Sequence, residues 1–191
     1  NILLHGLVRD KDGIKISKSK GNVINPIEMV DKYGADALRM GLIWGGLVEN
    51  DISLSEEKIN GQRKFANKIW NVARFVLASK STNKQINKSA NKFIDQDDEW
   101  IMNELKNTTK KVTKALDKYR LNEAAEEIYD FVWHKFADVY IEKIKDRREE
   151  ARPVLNLVLD CSLRLLHPFM PFVTEKIWGL MGNKELLIST A

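Results

Sequence analysis

From Glu56 to about Lys80, apolar residues return every three or four positions: Ile59, Phe65 or Ala66, Ile69, Val72 or Ala73, and Val76 or Leu77. That is the period of an amphipathic helix. Ser55 offers a hydroxyl cap at its start, and Glu56 and Glu57 sit at the positive end of its dipole. A second helix is expected from about Asp97 to Tyr119, with Trp100, Ile101, Leu105, Thr108, Val112, Ala115 and Leu116 on one face. A third is expected from Leu121 to about Glu149. Its two adjoining stripes, Leu121, Ala125, Ile128, Val132, Phe136 and Val139 beside Tyr129, Trp133, Tyr140 and Ile144, place it in the middle of a bundle. Pro153 is expected to start a fourth helix, which the run His167–Pro171 breaks; a short fifth then carries Phe172, Val173, Ile177, Trp178 and Met181 to Gly182. The polar stretch over 81–97 reads as a connecting loop.

The first fifty or so residues are patterned differently. Ile2 to Val8 is an apolar run of strand length, closed by the turn signal Asp10-Lys11-Asp12-Gly13. Further on, Asn25-Pro26 opens a two-turn helix ending near Gly34, and Ala35 to Trp44 forms a second, ended by Gly45-Gly46. Leu47 to Ser53 is expected to be irregular or briefly extended. The fold class is therefore mainly α: a small α/β segment over 1–53, then a helical bundle over 54–191.

Between the strand and the helices lies Lys15-Ile16-Ser17-Lys18-Ser19-Lys20-Gly21-Asn22-Val23. Three lysines with no carboxylate among them cannot be buried, so this is an exposed loop. Its small serines keep it thin, and Gly21 lets the backbone pivot, so the lysines can close over a polyphosphate. A merely solvated loop is the alternative.

The net charge of +4 permits a nucleic acid partner without requiring one. On the first long helix, Arg63, Lys64, Asn67, Lys68, Asn71 and Arg74 line the polar side, with Trp70 and Phe75 among them. Such a surface can neutralise phosphates, bond base edges and stack a splayed base. An ordinary solvated face with Trp70 in the core is the competing reading. The lysines Lys106, Lys110, Lys111, Lys114 and Lys118 of the second helix are read as a solvated face by default. Cys161 is the only cysteine and the three histidines are widely spaced, so no disulfide or metal site is expected, and a reducing, cytoplasmic context is. No stretch approaches the length of a membrane span.

Lys15-Ile16-Ser17-Lys18-Ser19 resembles the KMSKS signature of class I aminoacyl-tRNA synthetases, with Ile16 in place of the usual Met. Gly21-Asn22-Val23 and Tyr33-Gly34-Ala35-Asp36-Ala37-Leu38-Arg39 are similar to the segment after that signature in the branched-chain subgroup, although Asn25 stands where Asp is usual. Asn67-Lys68-Ile69-Trp70-Asn71, Tyr129 to Glu142 and Leu166 to Phe172 resemble its anticodon-binding helical domain. Within the family, the blocks His5–Asp10 and Phe131–Glu142 look most like the valine-specific branch, with the isoleucine-specific branch as nearest rival. The resemblance implies that 1–53 is the end of a catalytic domain, with a stem-contact-like segment, and that 54–191 binds the anticodon stem.

It also implies the chemistry: ATP-dependent activation of valine to valyl-adenylate and transfer to tRNA(Val), with Mg2+ accompanying ATP as substrate. Lys18 is then the main phosphate clamp and Lys15 its helper. Ser17, Ser19, Gly21 and Asn22 complete the ATP loop, and Lys64, Asn67, Lys68, Trp70, Asn71 and Arg74 form the tRNA-binding set. A HIGH-like motif, a nucleotide-binding sheet and an editing domain are missing from these residues. A piece of a longer, monomeric enzyme is therefore expected, inactive by itself. The rival is a non-catalytic tRNA-binding helical module.

Overall fold

A computed structural model of the chain describes residues 6–46, 50–78 and 95–190. The expected Ile2–Val8 strand is therefore seen only from Gly6 onward, and most of the expected 81–97 loop lies outside the described residues. Strand β1 (Val8–Arg9) pairs in parallel with β2 (Ile52–Ser53), Val8 opposite Ile52 and Arg9 opposite Ser53. This pairing requires a bare backbone at Gly6, where a Cβ would fall 2.0 Å from the Asn50 carbonyl oxygen. Gly6→Ala must push the two segments apart and is expected to cost about 1–3 kcal/mol in urea unfolding. An unchanged midpoint would mean that the pairing does not constrain the chain there.

Helices α1 (Pro26–Tyr33) and α2 (Ala35–Ile43) come next. Asn25 caps α1 by accepting from the Ile27 N–H at 3.1 Å while its amide donates to Glu28 Oε1 at 2.8 Å, a second bond that aspartate could not make. Met29, Ala37 and Leu38 of this pair bury against Leu54 and Ile59, with Val8, Ile24, Tyr33 and Leu42 packed around them. Ile59 already belongs to α3 (Glu56–Leu77), whose first turn is capped by the Ser55 hydroxyl accepting from the Lys58 N–H at 3.2 Å. The small N-terminal core is thus built directly onto the first long helix.

The larger core joins α3 to α4 (Gln96–Asp117), α5 (Leu121–Asp130), α7 (Arg148–Leu166) and α8 (Pro171–Leu180). Met40 reaches it from α2. Asp36, also on α2, is 7% exposed and accepts from the Phe172 and Val173 N–H groups at 3.1 and 2.7 Å, capping α8. Burial raises this carboxyl's pKa against the pull of those two donors. Arg39, one turn along, donates to the Pro168 carbonyl at 3.0 Å. The helix behind the lysine loop is therefore fastened to the far end of the bundle.

Two expectations are corrected. The third helix does not run as one α-helix to Glu149: after α5, residues Phe131–Tyr140 form a π-helix, followed by the short α6 (Ile141–Lys143) and a 3-10 turn over Lys145–Arg147. In a π-helix the backbone bonds span five residues, and the burial matches: Phe131, Phe136 and Ile141 are buried, as are Val132 and Ala137, whereas Val139, expected in the core stripe, is exposed. Secondly, Pro153 does not start the fourth helix. That helix, α7, begins at Arg148, and Pro153 lies exposed inside it.

A polar lock accompanies the start of α7 at Arg148. Tyr140 donates its hydroxyl to Asp98 Oδ1 at 2.6 Å, and Arg147 grips both oxygens of Asp98 at 2.8 and 3.0 Å while also reaching Asp95 at 3.0 Å. These bonds pin the turn before Arg148 to the start of α4, and so decide where the new helix begins.

Candidate phosphate loop and nucleic-acid interface

The lysine loop is built from β1 outward. Asp10 closes a tight turn, donating its N–H to the Ile14 carbonyl at 2.9 Å and accepting from the Gly13 N–H at 3.1 Å, and Arg9 and Lys15 then face each other across an antiparallel bridge. Arg9 is ion-paired to Asp51, so the base of the loop is held to the chain leading into β2. Ser17 is extended, Lys18–Lys20 form one 3-10 turn, and Gly21 leaves it at φ 68°, in the left-handed region that glycine adopts without strain. Lys15, Lys18 and Lys20 are all exposed, and none has a carboxylate partner among the described residues. Ser17 and Ser19 share a hydroxyl hydrogen bond of 2.8 Å. Three ammonium groups thus project from a loop too small to bury anything, two on its turn and Lys15 at its base, an arrangement open to an anion with several oxygens.

The neck of the loop is tied by Asn22. Its Oδ1 accepts from the Ser17 N–H at 2.9 Å, and its Nδ2 donates to Asp10 Oδ2 at 2.7 Å and to the Lys15 carbonyl at 3.3 Å. Asp10 Oδ1 meanwhile accepts from the N–H groups of Asp12 and Ile14 at 3.0 and 2.8 Å. The Asn22 amide and then the Ile14 N–H hold the Asp10 carboxyl below the usual carboxylate range. In the sequence Asp10 is legible only as a turn residue. The one further signal is the spacing of the Asp10-x-Asp12-Gly13 turn, twelve residues ahead of the asparagine that ends the loop.

On α3, Lys64, Asn67, Asn71 and Arg74 recur at three- and four-residue steps and lie exposed along one face, with no side-chain partner among the described residues. Trp70 is half-buried at the edge of that face. It packs against the core, and with Arg74, Leu77, Ile177 and Leu180 it lines an open cleft of about 320 Å³ between α3 and α8. Lys68 is set apart from the others: it pairs with Asp138 at 2.6 Å and lies 5.5 Å from the centre of the Trp133 ring. His134 approaches the second oxygen of Asp138 at 3.6 Å. The structure therefore gathers four of the six expected contacts on one strip, leaves Trp70 able to offer a ring edge, and pairs Lys68 with a carboxylate of the π-helix. Periodicity gives no sign of Asp138, a polar residue of the π-helical segment whose partner on α3 is seventy positions away.

Among the described residues no group of three His, Cys, Asp or Glu side chains is placed to hold a metal ion, and no helix is long and apolar enough to cross a membrane.

Residues 1–55 match the family of class I tRNA synthetases (I, L, M and V), and residues 98–191 match the anticodon-binding domain of tRNA ligase. A valine–tRNA ligase of Bacillus thuringiensis is 44% identical over the whole chain, and one of Geobacter sulfurreducens is 46% identical over 93% of it. The chain spans only 23% and 21% of those two curated relatives. Among solved structures, an Agrobacterium radiobacter LeuRS in a ternary complex with tRNA and LeuAMS superposes over 96% of this chain and 22% of its own, with a TM-score of 0.76 and 25% identity. A Mycobacterium tuberculosis methionyl-tRNA synthetase in complex with methionyl-adenylate shares the fold over 94% of this chain and 38% of its own, at a TM-score of 0.75 and 23% identity. With a lysine loop clasped at its neck, a two-helix segment fastened to a helical bundle and both family signatures in order, the chain belongs to the class I tRNA synthetases.

Proposed function

We propose that this chain supplies the ATP-phosphate loop and the tRNA-holding bundle of a valine–tRNA ligase. One observation carries the reading: Lys15 and Lys18 stand exposed, without a carboxylate partner among the described residues, at the base and on the turn of a short loop whose neck is hydrogen-bonded shut. The choice of valine is supported by 44–46% identity to valine–tRNA ligases. In the reaction, a carboxylate oxygen of valine attacks the α-phosphorus of ATP, the bond to the bridging oxygen breaks, and its electrons leave on pyrophosphate. Mg2+ comes with ATP and shares that charge. A terminal ribose hydroxyl of the tRNA then attacks the adenylate carbonyl and AMP departs. Lys18, on the turn, meets the departing phosphates; Lys15, at the bridge, assists; Ser17, Ser19, Gly21 and Asn22 shape the approach. Contacts that strengthen as charge moves onto pyrophosphate lower the barrier, whereas contacts equal in both states do not.

The bundle holds the tRNA near its anticodon stem. Lys64 and Arg74 meet phosphates, Asn67 and Asn71 reach base edges, and Trp70 offers a stacking edge at the cleft beside Arg74. Lys68 joins them only by exchanging Asp138 for a phosphate. The working form is a cytoplasmic monomer.

Binding of a tRNA(Val) transcript by this chain, followed by fluorescence anisotropy across a salt series, tests the interface. Asn71→Ala is expected to weaken binding by about 1–3 kcal/mol, and Arg74→Ala to weaken it while lowering the salt slope by about 1. Unchanged affinity in both variants would move the interface to another face of the bundle. The rival, a tRNA-binding module without catalysis, predicts the same binding but no effect of the loop lysines on adenylate formation.

A further inference from the structure

The phosphate loop is held at its neck by one side chain, Asn22, and a carboxamide has two ends. Its Oδ1 must face the Ser17 N–H and its Nδ2 the Lys15 carbonyl for the two ends of the loop to be bridged. Rotated by half a turn, the same amide would put donor against donor at Ser17 and acceptor against acceptor at Lys15. The bond to Lys15 is long at 3.3 Å, so the backbone of the loop holds the amide only weakly at that end. Asp10 holds it more firmly, because an ionised carboxylate can only accept, and its Oδ2 lies 2.7 Å from Asn22 Nδ2.

Asp10 is itself immobilised from three sides. Its Oδ1 accepts from Asp12 and Ile14, its N–H bonds the Ile14 carbonyl, and its own carbonyl accepts from the Ser53 hydroxyl at 2.9 Å, on β2. An unbroken series of hydrogen bonds therefore runs from β2 through Asp10 and Asn22 to the backbone of Ser17, the residue before the Lys18–Lys20 turn.

We propose that Asp10 is a positioning residue for the phosphate loop: by fixing which end of the Asn22 amide faces Ser17, it sets where Lys18 presents its charge. This role rests on the reading of the loop as a polyphosphate clamp. Asp10 touches no substrate and acts only through Asn22. The motion left to the loop is then confined to Ser17–Gly21, above a closed neck.

Reversing the polarity of the pair provides the test. Asp10→Asn presents an N–H group to Asn22, which turns its amide and sets a donor against the Ser17 N–H; Asn22→Asp sets two carboxylates face to face. In the double variant the new carboxamide at position 10 donates to the new carboxylate at position 22, whose second oxygen again accepts from Ser17; at Lys15 the long bond is lost and an oxygen faces the carbonyl at the same 3.3 Å range, a weaker contact than the two restored. Amide exchange at Ser17, followed by NMR on the 191-residue chain, is expected to rise about tenfold or more in each single variant and to return to within about threefold of wild type in the double. In the ligase-length polypeptide, valine-dependent ATP–pyrophosphate exchange is expected to lose about tenfold in kcat in either single variant, with the KM for valine unmoved, and to recover in the double.

Unchanged Ser17 exchange in Asp10→Asn, or a double variant worse than either single, would overturn the proposal. A double variant that restores Ser17 exchange without restoring kcat would overturn the positioning role as well. Failure of the clamp reading itself is recognised separately: Lys18→Ala would then react at the wild-type rate while the Ser17 exchange pattern still followed the pair.

Discussion

Lys18→Ala is expected to slow adenylate formation in the ligase-length polypeptide by about 10²–10³-fold, the usual effect of removing one preorganised charge donor from a developing anion. Lys18 opens the 3-10 turn, is exposed and has no carboxylate to satisfy it among the described residues. Its charge is therefore available to whatever anion approaches. Lys15 should matter less: its backbone is committed to the bridge with Arg9, so its reach is shorter. Lys18→Arg keeps the charge but exchanges a compact ammonium for a planar fork, and an intermediate rate is expected. The measurement is valine-dependent ATP–pyrophosphate exchange. The KM for valine should hold while kcat falls, because the loop meets phosphate and not the amino acid side chain. A wild-type rate in Lys18→Ala would remove the catalytic half of the proposed function.

The second large effect is on stability. Asp98→Ala is expected to destabilise the bundle by about 3–5 kcal/mol, because it leaves the Arg147 guanidinium without its main partner and the buried Tyr140 hydroxyl without an acceptor. Asp98 is only 7% exposed and Tyr140 is fully buried, so water does not readily replace the lost bonds. The pH dependence has a definite sign. Burial raises the Asp98 pKa, but the donors on Arg147 and Tyr140 outweigh it and the carboxyl ends below its ordinary value. A carboxylate with a depressed folded pKa stabilises the protein above the unfolded value, near pH 4, and that contribution disappears as pH falls through the folded pKa. Urea unfolding at about pH 7 and about pH 3 should show a smaller gap between wild type and Asp98→Ala at the lower pH. Tyr140→Phe, which removes one donor and keeps the ring, should cost about 1–2 kcal/mol. A gap that is equal at both pH values would mean that Asp98 is not held charged by this network.

How far the sequence can be read varies with the range of the interactions involved. The first long helix is legible because its signals are local: Ile59, Phe65, Ile69, Val72 and Val76 keep one period, and all are buried, while Ser55 caps the start as its residue type suggests. The exposure of Lys15, Lys18 and Lys20 is equally legible, since no nearby carboxylate could compensate for their burial. The strip Lys64, Asn67, Asn71 and Arg74 comes from helical geometry alone.

What the residues cannot announce depends on partners distant in the chain. Proline's preference for first turns points to Pro153 as the start of α7, yet that start is set by Arg147 reaching back to Asp95 and Asp98 across some fifty positions. A 3.6-residue period counts Val139 into the core, and the π-helix over Phe131–Tyr140 turns it out to solvent. Asp138, in the same π-helical segment, meets Lys68 across seventy positions, so a lysine expected to meet RNA is held in an ion pair. Asp36 looks like an ordinary first-turn carboxylate of α2, and only the fold shows it capping α8. The sequence by itself thus determined the two faces of the first long helix, the caps of α1 and α3 and the exposed lysine loop, all governed by neighbours within a turn or two. Tertiary structure alone decided the helix breaks, the fastening of the loop segment to the bundle and the clasp between Asp10 and Asn22, because a hydrogen bond forms only when both partners are brought within about 3 Å.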